Sequence, residues 1–112
     1  MTDKPLKYIH WHGDSLDVIR KFPRAVRVNI GSELYLLQLG EKPVHSKPFA
    51  SVGRGVWEVR IKDRSGAFRV FYVVRRRDEI HVLHAFQKKT QKTRKSDIEL
   101  GKSRLRELRR KD

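Results

Sequence analysis

Val56-Trp-Glu-Val-Arg60-Ile-Lys62, Asp63-Arg-Ser-Gly66 and Ala67-Phe-Arg69-Val-Phe-Tyr72-Val-Val-Arg75 are the three runs that decide how this chain folds. The outer two are rich in β-branched and aromatic residues, and the four residues between them suit a type I turn closed by glycine. If that turn sets the register, Lys62 faces Ala67 and Arg60 faces Arg69. Trp57, Val59 and Ile61 then share a core face with Phe68, Val70 and Tyr72, while Glu58, Arg60, Arg69 and Phe71 take the opposite, more open face. Like charges directly opposed on a sheet destabilise it. Glu58 is therefore read as the counter-ion that lets the two arginines coexist, ahead of a role as general base, and removal of either arginine is expected to leave the fold intact or slightly more stable.

A third strand is expected from about Glu79 to Gln87. Ile80, Val82, His84 and Phe86 fall on its core side, and Leu83, Ala85, Gln87 and Lys89 fall beside the arginines. A slip of one residue would exchange Lys89 for Lys88; Lys89 is preferred. Upstream, Leu6 to Trp11 reads as a short strand. Asp14 is placed to cap a helix from Ser15 to Phe22, and Pro23 opens a second one to about Leu39. Val26, Ile30, Leu34 and Leu37 recur on one helical face, with Gly31 as a weak point worth about 1 kcal/mol. Glu41 to Gly55 reads as a loop. Ser96-Asp-Ile-Glu99 has the form of a capping box, opening a last helix to about Arg110. The order β-α-α-β-β-β-α describes one α+β domain over residues 1–112, a mainly antiparallel sheet packed on a helical hairpin with a C-terminal helix.

Charge narrows the function. Twenty-seven Lys and Arg against 13 Asp and Glu give a net charge of +14 over 112 residues, which points to a polyanion such as RNA or the ribosome. There is no cysteine, so disulfides and thiolate metal sites are excluded. The start of the chain lacks the apolar segment of a secretory leader and no run is long enough to span a membrane, so a cytoplasmic protein is expected. Lys47, Arg54, Lys88, Thr90 and Thr93 are candidate RNA-binding residues. Arg60 and Arg69 suit the stabilisation of charge on a phosphodiester in its pentacovalent transition state. Lys89 and Lys92, crowded among other cations, are candidate general bases. RNA supplies its own nucleophile, the 2′-hydroxyl, so neither metal nor organic cofactor is expected. His10 and His12 are spaced by two on a strand, but no further metal ligands can be placed beside them. His81 and His84 read as structural histidines, and Trp11 and Trp57 as core anchors ahead of base stacking.

Val56-Trp-Glu-Val-Arg60, Gly66-Ala-Phe-Arg69-Val-Phe-Tyr72 and Leu83-His-Ala-Phe86-Gln-Lys-Lys-Thr-Gln-Lys-Thr93 resemble the HigB-like, phage-derived branch of the RelE/ParE toxin superfamily, as does the Gly40-Glu-Lys-Pro-Val-His-Ser-Lys47 loop. The last of the three motifs is highly specific to that branch, although Arg94 stands where a proline usually follows the second threonine. The resemblance implies a RelE-like fold and a toxin of a type II toxin–antitoxin pair. Such a toxin cleaves mRNA in the ribosomal A site, touching rRNA, without a metal ion. It is silenced by a cognate antitoxin, in this branch a helix-turn-helix, HigA-like protein. The family's basic strand positions fall on Arg60 and Arg69 and its terminal lysines on Lys88, Lys89 and Lys92. Two rivals remain: a ParE-like poison of DNA gyrase, against which the lysine-rich motif argues, and a non-catalytic RNA- or ribosome-binding module.

Overall fold

The computed structural model describes residues 5–111. Its elements are β1 (Tyr8–Trp11), α1 (Ser15–Arg20), α2 (Arg24–Gln38), β2 (Ser46–Pro48), β3 (Trp57–Asp63), β4 (Gly66–Arg75), β5 (Glu79–Lys88) and α3 (Lys95–Arg110). The five strands form one sheet in the order β1-β5-β4-β3-β2. All neighbours are antiparallel except β1 and β5, which run parallel.

The β3–β4 hairpin has the register that its turn dictates, with Lys62 opposite Ala67 and Arg60 opposite Arg69. Asp63 organises the turn by accepting hydrogen bonds from the amide and the hydroxyl of Ser65, the local bonding that makes aspartate a turn residue. Gly66 follows at φ 136°, where a Cβ would also press to 2.7 Å from the Gln87 side chain. The backbone angle requires glycine there, while the Gln87 amide, at the end of a flexible side chain, could move aside.

Alternation along the strands creates two apolar layers. Val59, Ile61, Phe68, Val70 and Tyr72 face α1 and α2, which contribute Ile19 and the Val26, Ile30, Leu34, Leu37 stripe. Trp57 shares that face but stays 36 % exposed, because it lies at the rim. The other face is not open along its length. Val56, Phe71, Val73, Leu83 and Phe86 pack there against Leu105 and Leu108 of α3. Gly101 permits this approach, since a Cβ on it would sit 3.0 Å from both Phe71 and Val52.

β5 departs from simple alternation. Phe71 faces His84 whereas Tyr72 faces Val82, so Leu83 is the extra residue of a β-bulge. A bulge inverts the inside–outside phase of the residues after it. Ile80 and Val82 lie on the hairpin side as expected. Ala85 joins them instead of lying beside the arginines, while Phe86 and His84 move to the α3 side.

Local side-chain chemistry accounts for the other differences. Ser46–Pro48, expected as loop, is an edge strand, held by buried Glu33 of α2. Its carboxylate accepts hydrogen bonds from the amides of Val44 and His45 and from the Ser46 hydroxyl. Pro48 is tolerated because the strand is at the edge. Asp14 makes no capping bond; its carboxylate pairs with Arg104 of α3 at 3.0 Å. The capping box does not form either. The N-cap of α3 is Arg94 without a side-chain bond, and Asp97 is engaged by His84 at 2.8 Å.

Gly31 lies inside α2, exposed, with open space where a Cβ would go. Gly31→Ala should therefore stabilise the protein by about 0.5–1 kcal/mol, seen as a higher urea midpoint at unchanged m-value. An unchanged or lower midpoint would show that α2 does not limit stability in this way.

Candidate nucleic-acid interface

The end of the sheet left uncovered by the second apolar layer carries the cations. Arg60 and Arg69 sit on adjacent strands at the same level. Glu58, two residues before Arg60 on the same face, is only 1 % exposed and lies between them. The Arg60 Nε donates to Glu58 Oε1 at 2.7 Å, and the Arg69 Nε stands 3.7 Å from Oε2. A buried carboxylate thus offsets part of the like charge, fixing the Arg60 guanidinium by a hydrogen bond and holding Arg69 by a looser ion pair. This reverses the expected effect on stability: removing an arginine strips a buried charge of a partner instead of relieving repulsion.

The second contact is loose, and Glu58 Oε2 has no hydrogen-bond partner among the described residues. Arg69 gives one further bond, from Nη1 to the Phe68 carbonyl. Its side chain is 13 % exposed against 42 % for Arg60. Burial lowers the Arg69 pKa from its ordinary value, Glu58 opposes that shift and Arg60 adds to it. The guanidinium remains charged at any physiological pH, with N–H groups available to an incoming oxyanion.

Two lysines join this face through strand register. Lys47 pairs with Glu58 from β2, and Lys88 pairs with Ala67 at the end of β5. The bulge makes Lys88 the lysine on the arginine side, where Lys89 was expected. Lys89, Thr90 and Lys92 are exposed in the loop leading to α3, and Thr93 is half-buried there. The Thr90 hydroxyl donates to the Lys92 carbonyl, which tightens the loop. His84 anchors its far end through Asp97 and takes a hydrogen bond from Arg104, which also donates to the Leu83 carbonyl. Arg54 is not brought to this cluster. It precedes β3, with its carbonyl held by Arg109 near the other end of α3.

Reading the sequence missed His45. Its carbonyl accepts from the Arg60 amide, and its side chain lines the shallow depressions on both sides of Arg60. The signal was present in the His45-Ser-Lys47 run, but only the unexpected β2 gives it a place. Tyr72 faces the helices as expected, and burial raises its phenol above the ordinary 10. It lines an apolar hollow with Trp57, Leu37 and Val74 on the reverse side of the sheet. No helix among the described residues is long and apolar enough to cross a membrane.

The chain is thus a small α+β domain that presents paired arginines on a mainly antiparallel sheet, with a lysine-rich exit from the strand beside them. Residues 17–106 match the family described as "Phage derived protein Gp49-like (DUF891)", and the chain belongs to that family, which is RelE/toxin-like. No curated protein matches the chain.

Proposed function

We propose that this chain is the toxin of a type II toxin–antitoxin pair and acts as a ribosome-dependent mRNA endonuclease. The observation that carries the reading is the Arg60–Arg69 pair, fixed by a buried Glu58 at the open end of the sheet. Neutralising two guanidinium groups with one carboxylate leaves a net cationic surface. A phosphodiester entering it would gain most when its charge rises in the transition state, because the cations are already oriented.

The 2′-oxygen of the substrate attacks the adjacent phosphorus, giving its proton to a neutral lysine amine of the cluster, and Arg60 and Arg69 stabilise the pentacovalent phosphorane. The P–O5′ bond then breaks, the 5′-oxygen leaves with that proton and a 2′,3′-cyclic phosphate remains. Lys88, from the end of β5, is better placed by register than Lys89 to act beside them, while Lys89, Lys92, Thr90 and Thr93 grip flanking phosphates. Lys47 extends the surface along β2. The proposed partners are mRNA on the ribosome and a cognate helix-turn-helix antitoxin of the HigA-like kind, with the cytoplasm as the place of action.

The test is cleavage of a defined mRNA on programmed ribosomes by the parent protein and by Arg69→Ala. Cleavage by the parent alone supports the proposal. Binding to ribosomes without cleavage would assign a non-catalytic module, and inhibition of DNA gyrase in place of cleavage would assign a ParE-like poison.

A further inference from the structure

Away from the arginines, on the β1 edge of the sheet, three side chains converge that the proposed chemistry does not use. His10 and His12 alternate onto one face of β1, and Glu79 and His81 onto one face of β5. The parallel register sets Tyr8 against Glu79 and His10 against His81. One ligand atom from each of His10, Glu79 and His81 lies within 4.8 Å of the others. We propose that His10, Glu79 and His81 form a binding site for a divalent first-row transition ion, of which zinc is the type, clipping edge strand β1 to β5.

Two imidazoles and a carboxylate make a donor set that zinc takes at roughly 2.0–2.2 Å, which sets neighbouring ligand atoms about 3.3 Å apart. His81 Nε2 and Glu79 Oε1 already stand 3.1 Å apart. The closure that remains falls on His10, whose ring lies stacked on that of His81 with centroids 4.5 Å apart. His10 is half-buried on β1, with the Tyr8 ring on one side at 4.8 Å, so closure is a small turn of its ring within that stack.

The outer partner of a metal-bound histidine is also present. His81 Nδ1 is 2.9 Å from His12 Nε2. With His81 Nδ1–H donating to a neutral His12, His81 Nε2 carries its lone pair towards the ion, so His12 takes the place that an acceptor holds beside ligating histidines. His81 is 4 % exposed, so its ring is held in place before any ion arrives.

The surroundings select the kind of ion. Arg76 acts electrostatically on the Glu79 carboxylate, so part of its charge is already answered and the imidazoles must supply most of the affinity. That favours zinc, copper or nickel over calcium or magnesium, which rely on oxygen donors.

The experiment uses untagged, chelator-treated full-length protein. Zinc chloride should bind with one equivalent by calorimetry and raise the melting temperature by several degrees, in line with selective binding to the folded state. Cobalt(II) in its place should give visible d–d absorption. His10→Ala and Glu79→Gln, both near the edge and able to fold, should weaken zinc by at least tenfold. His12→Ala should retain one equivalent at affinity lowered by about 10- to 100-fold. Absence of binding, equal affinity in His10→Ala, or an equal response to magnesium would each overturn the assignment. None of these readouts depends on RNA cleavage.

Discussion

Arg69→Ala should lower the single-turnover cleavage rate on programmed ribosomes by about two to three orders of magnitude, the usual loss when a fixed cation or donor aimed at transition-state charge is removed. The same change should lower stability, because Glu58 is buried and would lose one of its two cationic neighbours. Leaving a buried group incompletely partnered costs about 1–3 kcal/mol. The two effects separate in a double variant. Adding Glu58→Gln removes the stranded charge, so Arg69→Ala/Glu58→Gln should regain much of the melting temperature and none of the activity. Cleavage at the parent rate by Arg69→Ala, or recovery of activity together with stability, would reduce Arg69 to a structural role. Arg60→Ala should lose a comparable share of the rate. Its stability loss should be smaller, since its side chain is 42 % exposed and water can replace part of its contact.

Affinity for a single-stranded oligoribonucleotide should fall steeply with salt. If four to six phosphates are neutralised by Lys47, Arg60, Arg69, Lys88, Lys89 and Lys92, counterion release gives a slope of about −3 to −4 in log–log form. A tenfold rise in salt would then cost about three to four orders of magnitude in binding. Lys88→Gln should make the slope shallower by about 0.7, one phosphate's worth on a single strand. Arg54→Gln should leave it unchanged, because Arg54 precedes β3 beside Arg109 and apart from the cluster. A flat salt response would remove the electrostatic basis of the proposal. Equal effects of Lys88→Gln and Arg54→Gln would mean a diffuse basic surface in place of a site.

The hairpin was legible because its determinants are local. A four-residue turn and strict alternation place Arg60 against Arg69 without help from the rest of the chain. The same logic failed one strand later. Nothing in Val82-Leu-His-Ala85 announces a bulge, and a single unpaired Leu83 was enough to exchange Lys89 for Lys88 and to send Phe86 under α3. The caps failed for a related reason. Asp14 has the right chemistry for a helix start, but Arg104 competes for it from α3, and the Ser96–Glu99 box is out of place because α3 begins one residue earlier, at Lys95 with Arg94 as its N-cap. Glu33 shows the converse. A glutamate inside an amphipathic helix reads as surface, and only the fold reveals that it is buried to hold the amides of Val44 and His45 and the Ser46 hydroxyl. The histidine cluster escaped for want of a partner strand: His10 and His12 gained Glu79 and His81 only through parallel pairing between strands far apart in the sequence.

That pairing also fixes an order of assembly. β3, β4 and β5 are consecutive antiparallel strands joined by short turns, so they close small loops and can form early. Among the described residues β1 has β5 as its one neighbour, and its partner residues, 79–82, follow β3 and β4 in the sequence. Until β5 is in place, Tyr8–Trp11 has no strand to join, and closing so long a loop delays it further. Pulse-labelled hydrogen exchange during refolding should find the amides of Tyr8–Trp11 protected after those of Trp57–Asp63; simultaneous protection would mean that the sheet condenses in one step. A strand that leaves the ribosome ahead of β3, β4 and β5 is thus secured in the native sheet after them.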